Sequence, residues 1–252
     1  MPETLQQEAH VWLVVPESVQ DPDELEHFRS LLSDDELSRY RRFHFQDDRH
    51  RYLVSHAMVR KVLSGYADLP PAEWCFTRSQ HGRPEIANRG TADIRFNLSH
   101  TRGLAACIVT RGCACGIDTE QLDTHHHLTG IARRMFSAEE HRQLETLTGA
   151  ALTESFFTRW TLREAFVKAK GIGISYPVRK LHFDIGDDRT IRVRFTPELD
   201  EDPARWQFRL LRPAATHIAA VALHTDQAHE LRIVQRWFGT DHAGVTRPPA
   251  GG

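Results

Sequence analysis

Cysteine is scarce, with four in 252 residues. A disulfide framework needs a denser set, so the chain reads as one folded in a reducing cytoplasm. Long apolar runs are missing as well. The longest, Val11–Val15 and Ile218–Leu223, fall far short of the ~18 residues a membrane span needs. The start, MPETLQQEAH, has neither the basic opening nor the apolar stretch of a signal peptide. No sign of charge dominates. Lys plus Arg is 32 against 34 for Asp plus Glu, a net charge of −2, so no global field draws in nucleic acid or an anionic membrane. What is present is ordinary: 40% hydrophobic and 26% charged residues exclude collagen, coiled coil and full disorder. The length suits one large domain or two small ones.

The pattern predicts a short buried strand at Val11–Val15, then an acidic helical stretch at Asp21–Glu36. Ser33 and Glu36 fit a capping box, in which each satisfies an orphan amide at a helix start. Ser38–Lys61 is basic, and its later part reads as one amphipathic helix ending near Gly65. Gly82-Arg83-Pro84 marks a turn. Ile94–Ser99 alternates apolar and polar residues as a half-buried strand does, and Leu104–Val109 and Ala114–Glu120 follow as two more. The middle turns helical, with a second capping box at Ser137 and Glu140 and a long helix at Thr153–Lys170 stopped by Gly171 and Gly173. Strands return at Leu181–Ile185, Ile191–Phe195, Trp206–Leu211, Ile218–Leu223 and Leu231–Trp237. This order suggests an α+β protein of two similar halves with a break near residues 112–117.

Two arrangements carry chemistry. In Gly116-Ile117-Asp118-Thr119-Glu120 the two carboxylates are two apart on a strand and share a face. They repel unless a cation lies between them, and such oxygen ligands suit Mg²⁺. A solvated strand end with two acids is the alternative for an isolated D-x-E. The second arrangement is Trp160 to Lys168. Trp160, Glu164 and Lys168 fall on one helical stripe. Left exposed, Glu164 and Lys168 make an ordinary pair worth about 0.3–0.5 kcal/mol. Buried beside Trp160 and Phe166, the carboxylate needs a partner or a metal. Three acids and a lysine are the equipment of phosphoryl-type transfer. Ser99 and His100 close a strand at a polar turn, where hydroxyl and ring N–H can contact phosphate oxygens. A single histidine among 16 also fits an ordinary surface residue.

The order of a basic helix, GRP, FNLSH, GIDTE, FSAEE and WTLREAFVK, with a Gly-rich turn after it, resembles the Sfp-type 4′-phosphopantetheinyl transferases over roughly residues 10–235. The resemblance implies two pseudo-symmetric α+β halves with the active site in the cleft between them. Residues 1–115 would be the half that contacts coenzyme A, 116–238 the half with the metal and carrier-protein contacts, and 239–252 a flexible tail. It implies coenzyme A and an acyl, peptidyl or aryl carrier protein as substrates, and a carrier serine that attacks the β-phosphorus. Asp118, Glu120 and Glu164 resemble the Mg²⁺ ligands, with Mn²⁺ as the other candidate ion. Glu164 also resembles the general base, although a metal-bound carboxylate is a poor one. Lys168 resembles the residue that holds the pyrophosphate, and with Glu164 and His100 it makes up the implied catalytic set. Ser99 and His100 resemble contacts to the coenzyme A phosphates, and Arg39, Arg51 and Arg83 resemble its cationic contacts. Gly171–Tyr176 is a candidate stretch for touching the carrier.

The chain departs from the family in places. Glu36 stands where some relatives have lysine, and Arg163 replaces the commoner lysine before Glu164 and keeps its charge. Glu140 matches a family glutamate, and its capping-box place explains it equally well. Cys113 and Cys115 read as buried thiols rather than a zinc site, and His125-His126-His127 as a solvated loop. The basic run suits a single nucleotide phosphate better than a nucleic acid. A monomer is expected, since both halves lie in one chain. The competing activities are a phosphohydrolase that uses water with the same acids, and a carrier-docking module without catalysis.

Overall fold

A computed structural model of the chain describes residues 3–91, 93–122, 127–173, 176–186, 188, 190–225 and 230–239. The chain is α+β. Its strands are β1 (Glu8–Val14), β2 (Phe76–Arg78), β3 (Pro84–Ile86), β4 (Ile94–Thr101), β5 (Leu104–Arg111), β6 (Ala114–Gln121), β7 (Leu181–Ile185), β8 (Ile191–Phe195), β9 (Trp206–Ala214), β10 (His217–His224) and β11 (Arg232–Trp237). Its helices are α1 (Pro22–Leu31), α2 (Asp34–Arg42), α3 (Gln46–Ser64), α4 (Leu128–Met135), α5 (Ala138–Glu145) and α6 (Gly149–Lys170). None is long and apolar enough to cross a membrane among the described residues.

The contacts divide the chain into two units, one running to Gly112 and resuming at Leu231, the other Cys113–Glu230. In the first, the sheet order is β11-β1-β5-β4, with β11 parallel to β1 and the other pairs antiparallel. The helix α3 packs on it, placing Leu53, Val54, Ala57, Met58 and Leu63 against Val14, Ala105, Cys107 and Val109. The acidic stretch falls in two helices, the second starting at the capping box. Asp21 caps α1 by accepting from the Asp23 amide at 2.8 Å, and the chain restarts at Ser33, whose capping box with Glu36 opens α2. The helix α3 ends where expected, at Ser64 before Gly65. Gly82, at φ 84°, turns the β2–β3 hairpin. In β4 the alternation fails at Asn97, which is buried although polar.

Leu231–Trp237 is a correction to the expected halves. The strand β11 pairs with β1, from Glu8 opposite Arg232 to Leu13 opposite Trp237, and so belongs with the first unit. Alternation marks a strand but does not say which sheet it joins.

The second unit is built on the antiparallel sheet β6-β10-β9, with a separate β7–β8 hairpin. The helix α6 lays Leu162, Ala165, Phe166 and Ala169 against Ala220, Ala222, Trp206 and Phe208. Small alanines on the sheet side allow a close approach. It ends at Gly171, φ 70°, whose amide donates to the Val167 carbonyl. A smaller cluster of Phe136, Leu144 and Phe156 joins α5 to α6. Cys113 and Cys115 are buried and outside any disulfide, as expected. His125 and His126 lie outside the described residues, as do Ile174, Ser175 and the tail from residue 240.

Candidate active site

Strand β6 sends Gly116, Asp118 and Glu120 to one face, against α6. On α6, Trp160, Glu164 and Lys168 recur every fourth residue along one stripe. The two elements bring these side chains together. Lys168 Nζ stands 2.6 Å from Asp118 Oδ1, with 28% of the lysine side chain and 7% of the aspartate exposed. The indole nitrogen of Trp160 donates to Glu120 Oε1 at 2.9 Å. The sequence sets Trp160 on the stripe with Glu164 and Lys168 but gives its indole no partner on β6. Its place four residues before Glu164 was the available clue.

The electrostatics couple the acids. Burial, reinforced by the charge of Asp118, pushes the Glu120 carboxyl up to about 7, and Glu164 adds to the rise. Burial and Asp118 also raise Glu164, while Lys168 pulls both glutamates down. Three acids therefore share one field with one fixed cation. Among the described residues they do not form a ready-made metal cage of three donors. Asp118 and Glu120 are engaged by Lys168 and Trp160 instead. The donor set still fits a hard divalent ion. It is all oxygen, and its mutual repulsion is the kind a cation relieves.

Two neighbouring residues are structural. Glu140 is fully buried, closes the capping box with Ser137, accepts from the Phe183 amide at 3.1 Å and pairs with Arg163. Arg163 is thus committed to the core, with its guanidinium 4.4 Å from the Phe136 ring centroid.

In the first unit, Arg39 lies in the last turn of α2 and lines a cavity of about 640 Å³ together with Glu36, His56, Arg78, Pro84 and Phe96. Arg51, on α3, donates to Asp48 Oδ1 at 3.1 Å, and its buried Nε has no partner among the described residues. Arg83 follows the Gly82 turn and reaches the Phe96 carbonyl at 3.4 Å. Ser99 is buried and His100 exposed near the end of β4. Glu36 is not a phosphate contact in waiting. It accepts from Arg60 Nε and Nη2 at 2.9 and 2.7 Å and from the Ser33 amide at 2.9 Å.

Two family models match this chain. The one described as 4′-phosphopantetheinyl transferase, N-terminal, covers residues 20–111, and the one for the 4′-phosphopantetheinyl transferase superfamily covers residues 114–222. The 4′-phosphopantetheinyl transferase HetI of Nostoc sp. is 33% identical over 224 residues, spanning 87% of this chain and 89% of its own. The chain belongs to the 4′-phosphopantetheinyl transferase superfamily. Other relatives in the family are more distant. A putative member from Synechocystis sp. is 29% identical over 71% of this chain and 72% of its own. The family member Sfp of Bacillus subtilis is 29% identical over 68% of this chain and 74% of its own.

Proposed function

We propose that this protein moves 4′-phosphopantetheine from coenzyme A to a serine of an apo-carrier protein, releasing adenosine 3′,5′-bisphosphate. The observation that carries this reading is the meeting of Asp118, Glu120, Glu164 and Lys168 inside the segment matched by the superfamily model. The serine oxygen forms a bond to the β-phosphorus, and the bond from that phosphorus to the bridging oxygen breaks. Its electron pair leaves with the nucleotide. Charge on the pyrophosphate oxygens grows along this path, and the Lys168 ammonium is the fixed countercharge. Glu164 is assigned to take the serine proton, directly or through a water; the water route leaves its carboxylate free to ligate a metal. Asp118, Glu120 and Glu164 would hold Mg²⁺ or Mn²⁺, which supplies Lewis-acid neutralisation of phosphate charge when bound.

Arg39, Arg51, Arg83, Ser99 and His100 are assigned to the coenzyme A phosphates, and His100 joins Glu164 and Lys168 as a catalytic residue. The unpartnered Nε of Arg51 supports this, because a guanidinium with a spare buried donor can take a phosphate oxygen. The protein is taken to act as a single chain in the cytoplasm, in keeping with both family models on one chain and four cysteines outside disulfides. The test is the intact mass of apo-acyl, apo-peptidyl and apo-aryl carriers after incubation with coenzyme A and this protein, with Mg²⁺ or with chelator. A gain of one phosphopantetheine on at least one carrier, lost with chelator, is expected. Unchanged mass on the whole panel with folded protein overturns the proposal.

A further inference from the structure

The first unit holds a second cavity, of about 390 Å³, whose lining includes Trp12, Tyr66 and Phe238 as rings and Lys61 and Arg236 as cations. Among the described residues no aspartate or glutamate lines it. The two cations come from separate elements. Arg236 sits on β11 directly opposite Trp12 on β1, and its guanidinium carbon stands 5.5 Å from the Trp12 ring centroid. Lys61 comes from α3, with its Nζ 5.2 Å from the ring of Phe28 and 5.5 Å from that of Phe238. Among the described residues neither cation is in an ion pair. The acid that feels Lys61 is Glu24, which does not line the cavity.

The floor is rigid and its hydrogen bonds are already used. Trp12 Nε1 donates to the Tyr66 hydroxyl at 2.7 Å, and that hydroxyl meets His10 Nδ1 at 2.7 Å. His10 Nε2 stands 2.7 Å from Glu8 Oε2, and Arg232 closes the chain on Glu8. Burial holds His10 toward its neutral form, so it adds no third charge at neutral pH. What remains to meet a ligand is two cations that stand over ring faces, with Arg236 also near His10, above an aromatic wall. A concave site of one charge sign with apolar walls concentrates small counter-ions.

We propose that this cavity is a second ligand site, for a small molecule with one anionic group on a flat apolar body. The anion would bridge Lys61 and Arg236, and the body would lie against Trp12, Tyr66 and Phe238. The reading stands apart from the transferase assignment, because none of these residues belongs to the proposed active site.

The test titrates naphthalene-2-carboxylate, 2-naphthyl phosphate and the neutral 2-naphthamide into the full chain by calorimetry, with and without saturating coenzyme A. Saturable binding of one carboxylate or phosphate per chain is expected, unchanged by coenzyme A, with the amide about tenfold weaker. The relative affinity of the two acids tells which anionic group the site prefers. Lys61→Met and Arg236→Met should each weaken the acids several-fold and leave the amide alone. Equal affinity for acid and amide, absence of saturable binding, displacement by coenzyme A, or wild-type affinity in both variants overturns the proposal. The acid–amide comparison uses the unaltered protein, so it decides the matter even if a variant does not fold.

Discussion

Gly116 on β6 lies directly under the backbone of α6 at Ala165. A methyl group on its α-carbon would overlap the Ala165 carbonyl oxygen and come 2.5 Å from the Ala169 amide nitrogen. These are backbone atoms, so no side chain can swing aside. The absent side chain sets how closely Asp118, two residues on, meets Glu164 and Lys168. Gly116→Ala should therefore cost more than the ~1–3 kcal/mol typical of overpacking, and lower transfer in the molecules that still fold. Gly130, in α4, is the comparison, because its nearest outside atom would be 4.0 Å away. Gly130→Ala should be neutral or stabilising by about 0.5–1 kcal/mol. Urea unfolding of the two variants checks the contrast, and equal behaviour would refute the close-approach argument.

Trp160 restrains the carboxyl of Glu120, and its hydrogen bond opposes the rise caused by burial and Asp118. Trp160→Phe keeps a ring to stack on Phe156, from which Trp160 lies 5.9 Å between centroids. The variant should stay folded and lose about tenfold in transfer rate, as for removal of a hydrogen bond to a charged group. In metal-free protein, NMR titration should place Glu120 near 7, and higher in the variant. Mg²⁺ should pull both Glu120 and Glu164 down, since a cation favours the ionised form. If neither glutamate responds to Mg²⁺, the metal assignment fails.

Local pattern exposed most of these elements and hid some of their partnerships. Capping boxes at Ser33 and Ser137 and the stop at Gly171 are short-range chemistry, and all three were legible. So were the two pairs of the acid–lysine set, because strand and helix periodicities put each pair on one face; that the pairs meet, 50 residues apart at Asp118 and Lys168, came from the family resemblance. Sheet membership was not legible for β11, since its pairing with β1 joins residues more than two hundred positions apart. Arg163 and Glu36 were read by charge, whereas their partners Glu140 and Arg60 lie 23 and 24 residues away. A pairing at that separation leaves no periodic trace. The anionic-ligand cavity was hidden for the same reason, as β1, α3 and β11 each supply part of it.

Glu36 links acid stability to the first unit's core. Burial alone would raise its pKa, but bonds from His56 and the Ser33 amide and the charge of Arg60 outweigh that and bring it down to about 2. A carboxyl depressed in the folded state stabilises above its unfolded pKa, and loses that contribution as pH falls through the folded one. The window is therefore roughly pH 4.5 down to 2, and the contribution lost is on the order of 3 kcal/mol. Urea midpoints of the native chain should fall steeply across it. Glu36→Gln should be weaker at pH 7, because it leaves Arg60 buried and without its countercharge, and should fall less steeply than the native chain from pH 5 to 2.5, where Glu140 and Glu8, also held low, still titrate. Equal slopes in the native chain and the variant would remove Glu36 from the acid response.

Arg163 offers the sharpest separation of charge from shape. If its role were only to supply a positive charge, Arg163→Lys would be silent. The guanidinium instead pairs with Glu140 and donates to the Leu181 and Arg159 carbonyls at 3.0 and 3.1 Å, between the Phe136 and Phe183 rings. An ammonium has no planar fork, so it cannot make these contacts together. Arg163→Lys should cost about 2–4 kcal/mol in urea unfolding, by leaving part of a buried polar network unsatisfied. The transfer rate per folded molecule, measured well below the melting range, should be unchanged, because no atom of Arg163 is assigned to substrate. The reverse pattern, native stability with reduced transfer, would move Arg163 out of the core and into the site.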